Sequence, residues 1–187
     1  MSLLTTPSQT VGPYLKIGFE HLVVDALAEE SAGGERVTVQ GRLIDGDGRG
    51  VNDGVVEVWQ ANARGRYASP EDARDKPVEP GFRGFGRVLT GADGGFRFTT
   101  IKPGRVPGPG GALQAPHLVV TVFMRGILKH LLTRMYFPEE PANAEDPVLK
   151  LVPADRRLTL VARRAGAGTL EWNIILQGQD ETVFFDF

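Results

Sequence analysis

His117 opens the most apolar stretch of the chain, residues 117–124, and is the side chain best suited to metal or acid–base chemistry. A loop rich in glycine and proline, residues 101–116, leads into it. Residues two apart on a β-strand point to the same face, so His117 and Val119 are predicted to share one face. A metal site built on two imidazoles of this strand would need a histidine at both positions. The strand therefore carries only half of a chelating pair.

Several other kinds of catalytic centre are excluded by residues that the sequence lacks. It has no cysteine, which excludes disulfides, thiolate metal sites and cysteine nucleophiles. No serine lies in a Gly-x-Ser-x-Gly motif, and the glycine-rich segment 46–50 lacks the lysine of a phosphate-binding loop. We interpret that segment as a hairpin turn. No carboxylate lies two residues from His117, so this histidine, taken alone, is predicted to be a hydrogen-bonded structural residue.

Charge and composition predict a protein that binds neither nucleic acid nor a membrane. The formal net charge is −2 over 187 residues, whereas a nucleic-acid surface is normally basic. The first residues have no basic region and no long apolar run, so we expect neither a signal peptide nor a membrane anchor. The absence of cysteine fits a reducing compartment, and we expect a cytoplasmic protein.

The chain is expected to form one domain, with residues 1–36 as an N-terminal arm and lead-in and residues 37–187 as the core. Short alternating runs between turn signals predict a mainly β fold, an antiparallel β-sandwich with extended terminal arms. Residues 154–164 alone show helical spacing, which predicts one short helix. The predicted strands cover residues 37–44, 55–60, 86–90, 96–100, 117–124, 131–137, 170–176 and 182–187. Of these, 86–90 and 96–100 are expected to form a hairpin.

A set of short segments, in a specific order and spacing, resembles the intradiol ring-cleavage dioxygenases. The resemblance extends from the N-terminal arm to the last residue, and it implies the β-sandwich of that family. The matching segments are residues 6–14, 57–62, 65–67, 85–87, 101–104, 115–117, 133–137 and 181–187.

The resemblance implies a catalytic Fe(III) held by two tyrosines and two histidines, but the chain departs from that pattern. Aligned through the matching segments, the two tyrosine positions fall on Arg74 and Val106, and the two histidine positions fall on His117 and Val119. Valine has no lone pair, and a guanidinium stays protonated. We therefore predict that this chain alone binds no metal and has no catalytic residue.

With these ligand positions replaced, the chain resembles the iron-free α subunit of a two-subunit member of the family. The resemblance then implies a homologous β subunit that holds the Fe(III), in an αβ heterodimer that assembles further. It also implies O2-dependent cleavage of protocatechuate (3,4-dihydroxybenzoate) to 3-carboxy-cis,cis-muconate. The resemblance also implies that five residues of this chain line the substrate pocket of the β subunit: Thr10, Gly12, Pro13, Tyr14 and Arg125. Arg125 would attract the substrate carboxylate.

Other interpretations stay open at this point. The chain could be a self-sufficient intradiol dioxygenase with an atypical iron site, or a non-enzymatic β-sandwich binding module. Without the resemblance, the N-terminal arm would be a mobile tail and Arg125 a solvated charge at the end of a strand. Arg134 is predicted to be structural. The C-terminal tail, residues 182–187, has three aromatic residues, and it is predicted either to pack on the chain's own sandwich or to enter a subunit interface.

Overall fold

The computed structural model describes residues 4–77 and 79–186, and it consists mainly of two β-sheets packed on a common core. The prediction of a mainly β sandwich is confirmed. Within the described residues, no helix is long and apolar enough to cross a membrane.

The regular elements are short, as the frequent glycine and proline residues lead one to expect. The α-helix α1 covers Tyr14–Phe19. The strands are β1 (Arg36–Ile44), β2 (Val55–Trp59), β3 (Phe85–Leu89), β4 (Gly95–Ile101), β5 (His117–Phe123), β6 (Leu131–Tyr136), β7 (Arg163–Gly166), β8 (Thr169–Glu171) and β9 (Ile174–Ile175). The 3-10 helices are Glu20–Leu22, Pro109–Gly111, Pro141–Ala144, Leu149–Leu151 and Arg157–Leu160.

The two sheets differ in their strand directions. One sheet has the order β3-β2-β5-β6, and all of its neighbouring strands are antiparallel. The other has the order β4-β1-β8-β7, with β9 also paired to β1, and there β8 and β9 run parallel to β1. The predicted antiparallel pairing is thus observed throughout the first sheet, whereas the second sheet contains both parallel and antiparallel pairs.

Side-chain alternation along β5 separates the core from a second, outer face. Leu118, Val120 and Val122 belong to the main core cluster between the sheets. The intervening residues point the other way, because successive side chains of a strand alternate. At the start of β5, this outer face is covered by the segment that carries the later 3-10 helices, whose Leu149 and Leu160 cluster with the buried ring of Tyr136. The outer face is therefore partly buried at this end.

The C-terminal segment packs on the chain's own sandwich. Val183 and Phe185 pack against the outer cluster, whereas Phe184 packs against the main core. The backbone N–H of Phe185 donates to the carbonyl oxygen of Leu132 at 2.7 Å. Of the two interpretations left open, packing within the chain is the one observed, although Phe187 lies outside the described residues.

Three local predictions are wrong. Residues 182–186 form no strand and make only an isolated bridge between Phe185 and Leu132. The strands of the expected hairpin, β3 and β4, lie in different sheets, although the turn between them forms as expected, with the Gly94 N–H bonded to the Gly91 carbonyl oxygen at 3.0 Å. The expected helix at residues 154–164 is only a 3-10 helix followed by extended chain. Its helical pattern is overridden because the Ala162 N–H donates to the carbonyl oxygen of Tyr136 at 3.0 Å. The short α-helix lies instead in the N-terminal arm.

Candidate functional site

The two histidine positions of the resemblance lie on the outer face of the four-stranded sheet, where β5 begins. His117 is paired with Tyr136 of β6. Val119 is paired with Arg134 of β6 on one side and with Trp59 of β2 on the other. Paired residues of neighbouring antiparallel strands point to the same face, so these five side chains share one surface. We call this surface the degenerate centre.

His117 is held in an orientation that would suit a metal ligand. It is only 5% exposed, and its Nδ1 lies 2.8 Å from the carbonyl oxygen of Ala115. Because a carbonyl oxygen only accepts, Nδ1 must donate, which leaves the lone pair on Nε2. Burial, followed by the positive charge of Arg134, lowers the pKa of His117 to about 4. The imidazole is therefore neutral at neutral pH.

The two tyrosine positions hold residues with no affinity for a cation. Val106 is 2% exposed and purely apolar. Arg74 donates from Nε to Oδ1 of Asp72 at 2.7 Å, and its guanidinium lies 5.4 Å from the centroid of the Tyr67 ring. Hydrogen bonding to Arg74 holds the pKa of Asp72 well below its usual range, so the pair stays ionised. Arg74 is thus fixed as a cation beside the centre.

Arg134 brings a second positive charge to the same surface. One terminal nitrogen donates to Oε1 of Gln114 at 2.6 Å. Burial raises the pKa of both Tyr67 and Tyr136, and the charge of Arg134 opposes that rise at each ring. The guanidinium therefore acts on three ring side chains, His117 among them.

The residues of the degenerate centre do not fit a ferric ion. Within residues 4–77 and 79–186, no three His, Cys, Asp or Glu side chains are grouped so that they could hold a metal. At the four positions given by the resemblance, only His117 offers a lone pair. The two valines offer none, and Arg74 can only donate. The arrangement has lost the ligands of a metal site while keeping one imidazole in place.

A buried carboxylate, that of Asp146, accepts hydrogen bonds from residues next to His117 at this end of the sheet. It is 0% exposed. Its Oδ1 accepts from the Tyr136 hydroxyl at 3.1 Å and from the N–H groups of Val148 and Leu149 at 2.9 and 2.7 Å. Its Oδ2 accepts from the N–H of Ala115 at 2.7 Å. Asp146 therefore ties Tyr136 to the segment that orients His117.

An open cleft of about 400 Å³ lies beside the degenerate centre. Trp59 and Tyr67 form one wall, with their rings stacked at a centroid distance of 5.8 Å and an interplanar angle of 8°. Asp72 and Arg74 line another part of it. The cleft therefore combines an aromatic wall with a paired guanidinium and carboxylate, and these groups supply no metal site.

The predicted substrate-pocket residues Thr10 and Arg125 lie together at the other end of β5. The hydroxyl oxygen of Thr10 accepts from the N–H of Gly126 at 2.8 Å. Arg125 donates from Nε to a carboxylate oxygen of Asp53, and its side chain is 56% exposed. Its terminal nitrogens have no hydrogen-bond partner among the described residues. They are therefore available to an acceptor from outside the chain.

The remaining arm residues, Gly12, Pro13 and Tyr14, lead into α1 on the same side of the molecule. The ammonium group of Lys16 fastens α1 to the carbonyl oxygens of Asn52 at 2.6 Å and Thr90 at 2.8 Å. The ring of Tyr14 is 80% exposed. The fold thus presents this end of the arm outward, beside the two loops that carry Asp53 and Arg125.

The two groups of predicted site residues are far apart. His117 and Phe123 are the ends of β5, and six steps of about 3.3 Å separate them by about 20 Å. Arg125 lies two residues further on. Arg125 and Thr10 therefore lie at the opposite end of β5 from His117.

Comparison with known proteins identifies the family. A model described as "Dioxygenase" matches residues 20–178. The chain is 46% identical over 201 aligned residues to the protocatechuate 3,4-dioxygenase alpha chain of Burkholderia cepacia, covering 99% of this chain and 98% of that one. The chain belongs to the intradiol dioxygenase family. It is also 40% identical over 158 residues to the beta chain of the same enzyme from Burkholderia cepacia, covering 80% of this chain and 67% of that one.

Solved structures support the family assignment. The dioxygenase domain of a dioxygenase–carbohydrate-binding fusion protein from Streptomyces sp. SirexAA-E superposes with a TM-score of 0.62 at 27% identity, covering 86% of this chain and 89% of that one. The intradiol dioxygenase fold is thus the scaffold that carries both the degenerate centre and the Arg125 end of the sheet. Intradiol dioxygenases are iron-dependent, whereas the described residues of this chain include no cluster of His, Cys, Asp or Glu side chains that could hold a metal.

Sequence reasoning missed three residues that organise the degenerate centre. Asp72 fixes Arg74, Gln114 holds Arg134, and Asp146 ties Tyr136 to residue 115. None of the three belongs to a recognised motif. The partners of Gln114 and Asp146 come from distant segments, whereas Arg74 is only two residues from Asp72. For Gln114, the one available signal was its position three residues before His117.

Proposed function

We propose that this chain is the iron-free α subunit of a protocatechuate 3,4-dioxygenase and completes the active site of an iron-bearing β subunit. The observation that carries the proposal is the replacement of three of the four ligand positions by Arg74, Val106 and Val119. Similarity to both an alpha and a beta chain of the Burkholderia cepacia enzyme supports an αβ complex. The chain would then act only with its partner.

The reaction proposed for the complex is O2-dependent cleavage between the two hydroxylated carbons of 3,4-dihydroxybenzoate, giving 3-carboxy-cis,cis-muconate. Ferric iron, when bound by the β subunit, supplies the binding and activation of the catechol oxygens. This chain supplies the pocket wall and a cation for the substrate carboxylate. A charge-assisted hydrogen bond from a guanidinium orients a carboxylate more strongly than a neutral donor does.

The residues proposed to contact the partner's pocket are those at the Arg125 end of the sheet. Thr10 lies against the Arg125 loop, and Gly12, Pro13 and Tyr14 follow on the same side. Support comes from the exposure of Tyr14 and of Arg125, and from the length of β5, about 20 Å, which separates His117 from the end of the strand that leads to Arg125. Residues exposed in this way can reach a site on another chain.

Replacing Arg125 with alanine in the αβ complex is expected to raise the apparent KM for protocatechuate about tenfold. The physical reason is the loss of a charge-assisted hydrogen bond to the substrate carboxylate, worth about 1–3 kcal/mol. Steady-state kinetics of the wild-type and variant complexes measure the change.

Two matched variants sharpen this test. Arg125→Lys keeps the charge and should lie between wild type and Arg125→Ala, because an ammonium lacks the planar pair of donors. Asp53→Asn removes the ion-pair partner of Arg125 and leaves the guanidinium in place. Unchanged KM and kcat in Arg125→Ala would place Arg125 outside the pocket.

A further inference from the structure

Arg134 occupies the middle of the degenerate centre rather than its rim. It lies directly opposite Val119, at one of the two histidine positions. Its terminal nitrogen is bonded to Gln114, whose own N–H donates to the carbonyl oxygen of Val106 at 2.8 Å. Its charge also acts on His117. Arg134 thus lies opposite Val119, acts by its charge on His117, and is linked through Gln114 to the backbone of Val106.

The charge of Arg134 is not cancelled locally. The neighbouring guanidinium of Arg74 is paired with the carboxylate of Asp72, which leaves no net charge there. Arg134, in contrast, is bonded to the neutral amide of Gln114, and no carboxylate of the described residues forms an ion pair with it. Two like charges repel strongly at a partly buried site, where water screens them poorly.

One half of a chelating pair is still in place beside this cation. His117 donates from Nδ1 to the Ala115 carbonyl and keeps its Nε2 lone pair for a metal. Val119 is half-buried on the same face, so a histidine there would point the same way. A single substitution, Val119→His, would therefore restore the second imidazole of the pair.

We propose that Arg134 is a resident cation that stands in the place of the metal and excludes metal ions from the degenerate centre. A histidine pair rebuilt at positions 117 and 119 then binds a metal ion only after residue 134 loses its charge. The inference rests on the ligand positions of the proposed function, and it adds that the loss of ligands is not the sole barrier to metal binding.

The test measures Zn2+ binding to the full-length chain by isothermal titration calorimetry. The variants are Val119→His alone, Val119→His with Arg134→Gln, and Val119→His with Arg134→Lys. Arg134→Met, combined with Val119→His, is a second neutral replacement in case glutamine disturbs folding, and thermal melting checks each variant. Zn2+ is a suitable probe because it accepts two imidazoles and completes its shell with water.

We expect Val119→His with either neutral residue at 134 to bind Zn2+ at least about tenfold more tightly than Val119→His alone. The Arg134→Lys version should stay weak, because it keeps the charge. Equal Zn2+ affinity with and without the charge overturns the inference, and so does the absence of Zn2+ binding in both neutral variants. Iron in the unmodified chain would instead overturn the proposed function, so the two failures are distinguishable.

Discussion

Replacing Asp146 with alanine is expected to lower the free energy of unfolding by about 4 kcal/mol. The carboxylate is fully buried and accepts four hydrogen bonds, from the Tyr136 hydroxyl and the N–H groups of Ala115, Val148 and Leu149. Each hydrogen bond to a charged group contributes about 1.5–3 kcal/mol, and a buried donor left without a partner costs about 1–3 kcal/mol. The expected loss is smaller than the sum over four bonds, because bonds in one network are not additive and removing the carboxylate also removes the cost of burying it. Urea unfolding of the wild type and the variant measures the loss.

Glu145→Ala is the matched control for this substitution. Its side chain is the neighbouring carboxylate, is 74% exposed and makes one distant ion pair with Arg105 at 3.9 Å. Its removal should change the free energy of unfolding by less than about 0.5 kcal/mol. A loss of under about 1 kcal/mol in Asp146→Ala would show that water or a local shift replaces the four bonds.

Mild acid is expected to destabilise the protein through His117. Its folded pKa of about 4 lies below the unfolded value of about 6.5, so the unfolded state binds more protons between these two values. The free energy of unfolding therefore falls as pH falls through this window. The full loss is about 3 kcal/mol, of which about 2 kcal/mol occurs between about pH 7.5 and about pH 5. Denaturant titrations at a series of pH values measure it.

His117→Asn should remove this part of the pH dependence. The range above about pH 5 isolates the histidine, because the carboxylates with lowered pKa values, Asp72 and Glu140, lose their contribution only at lower pH. His21 and His130 stay in both proteins and serve as an internal control. An equal slope in the wild type and the variant would contradict the burial of a neutral imidazole at position 117.

The strands that position the candidate site could be predicted from the sequence. The runs predicted at residues 117–124 and 131–137 correspond to β5 and β6, because alternation between a core face and an outer face leaves a period of two in the sequence. The same alternation placed His117 and Val119 on one face. Whether a segment forms a strand, and which of its side chains face the core, depends on the local sequence and can therefore be predicted from it.

Strand pairing and the helix at residues 154–164 could not be predicted in this way. The turn at residues 91–95 shows that the chain reverses, but it carries no information on which sheet the next strand joins. The spacing of Leu158, Val161 and Ala162 suits a helix. Tyr136 nevertheless bonds Ala162 and bridges Val161, and this long-range pairing prevails over a weak local preference.

The candidate site was only partly visible in the sequence. The four ligand positions came from the resemblance to a family, and their replacement by Arg74, Val106 and Val119 could be read directly. The central place of Arg134 could not be read, because it depends on the register of β6 against β5. A shift of one residue would turn Arg134 to the other face.

Iron analysis of the chain with and without its partner tests the proposed role most directly. The chain purified alone should contain no stoichiometric iron and cleave no protocatechuate. Co-expressed with an iron-bearing homologue that keeps both tyrosines and both histidines, it should copurify with about one iron per αβ pair and form the ring-cleaved product. Stoichiometric ferric iron with a tyrosinate colour in the chain alone would favour a self-sufficient enzyme. Failure to copurify with such a homologue, or a pair that cleaves no catechol, would contradict the α-subunit role and favour a binding module.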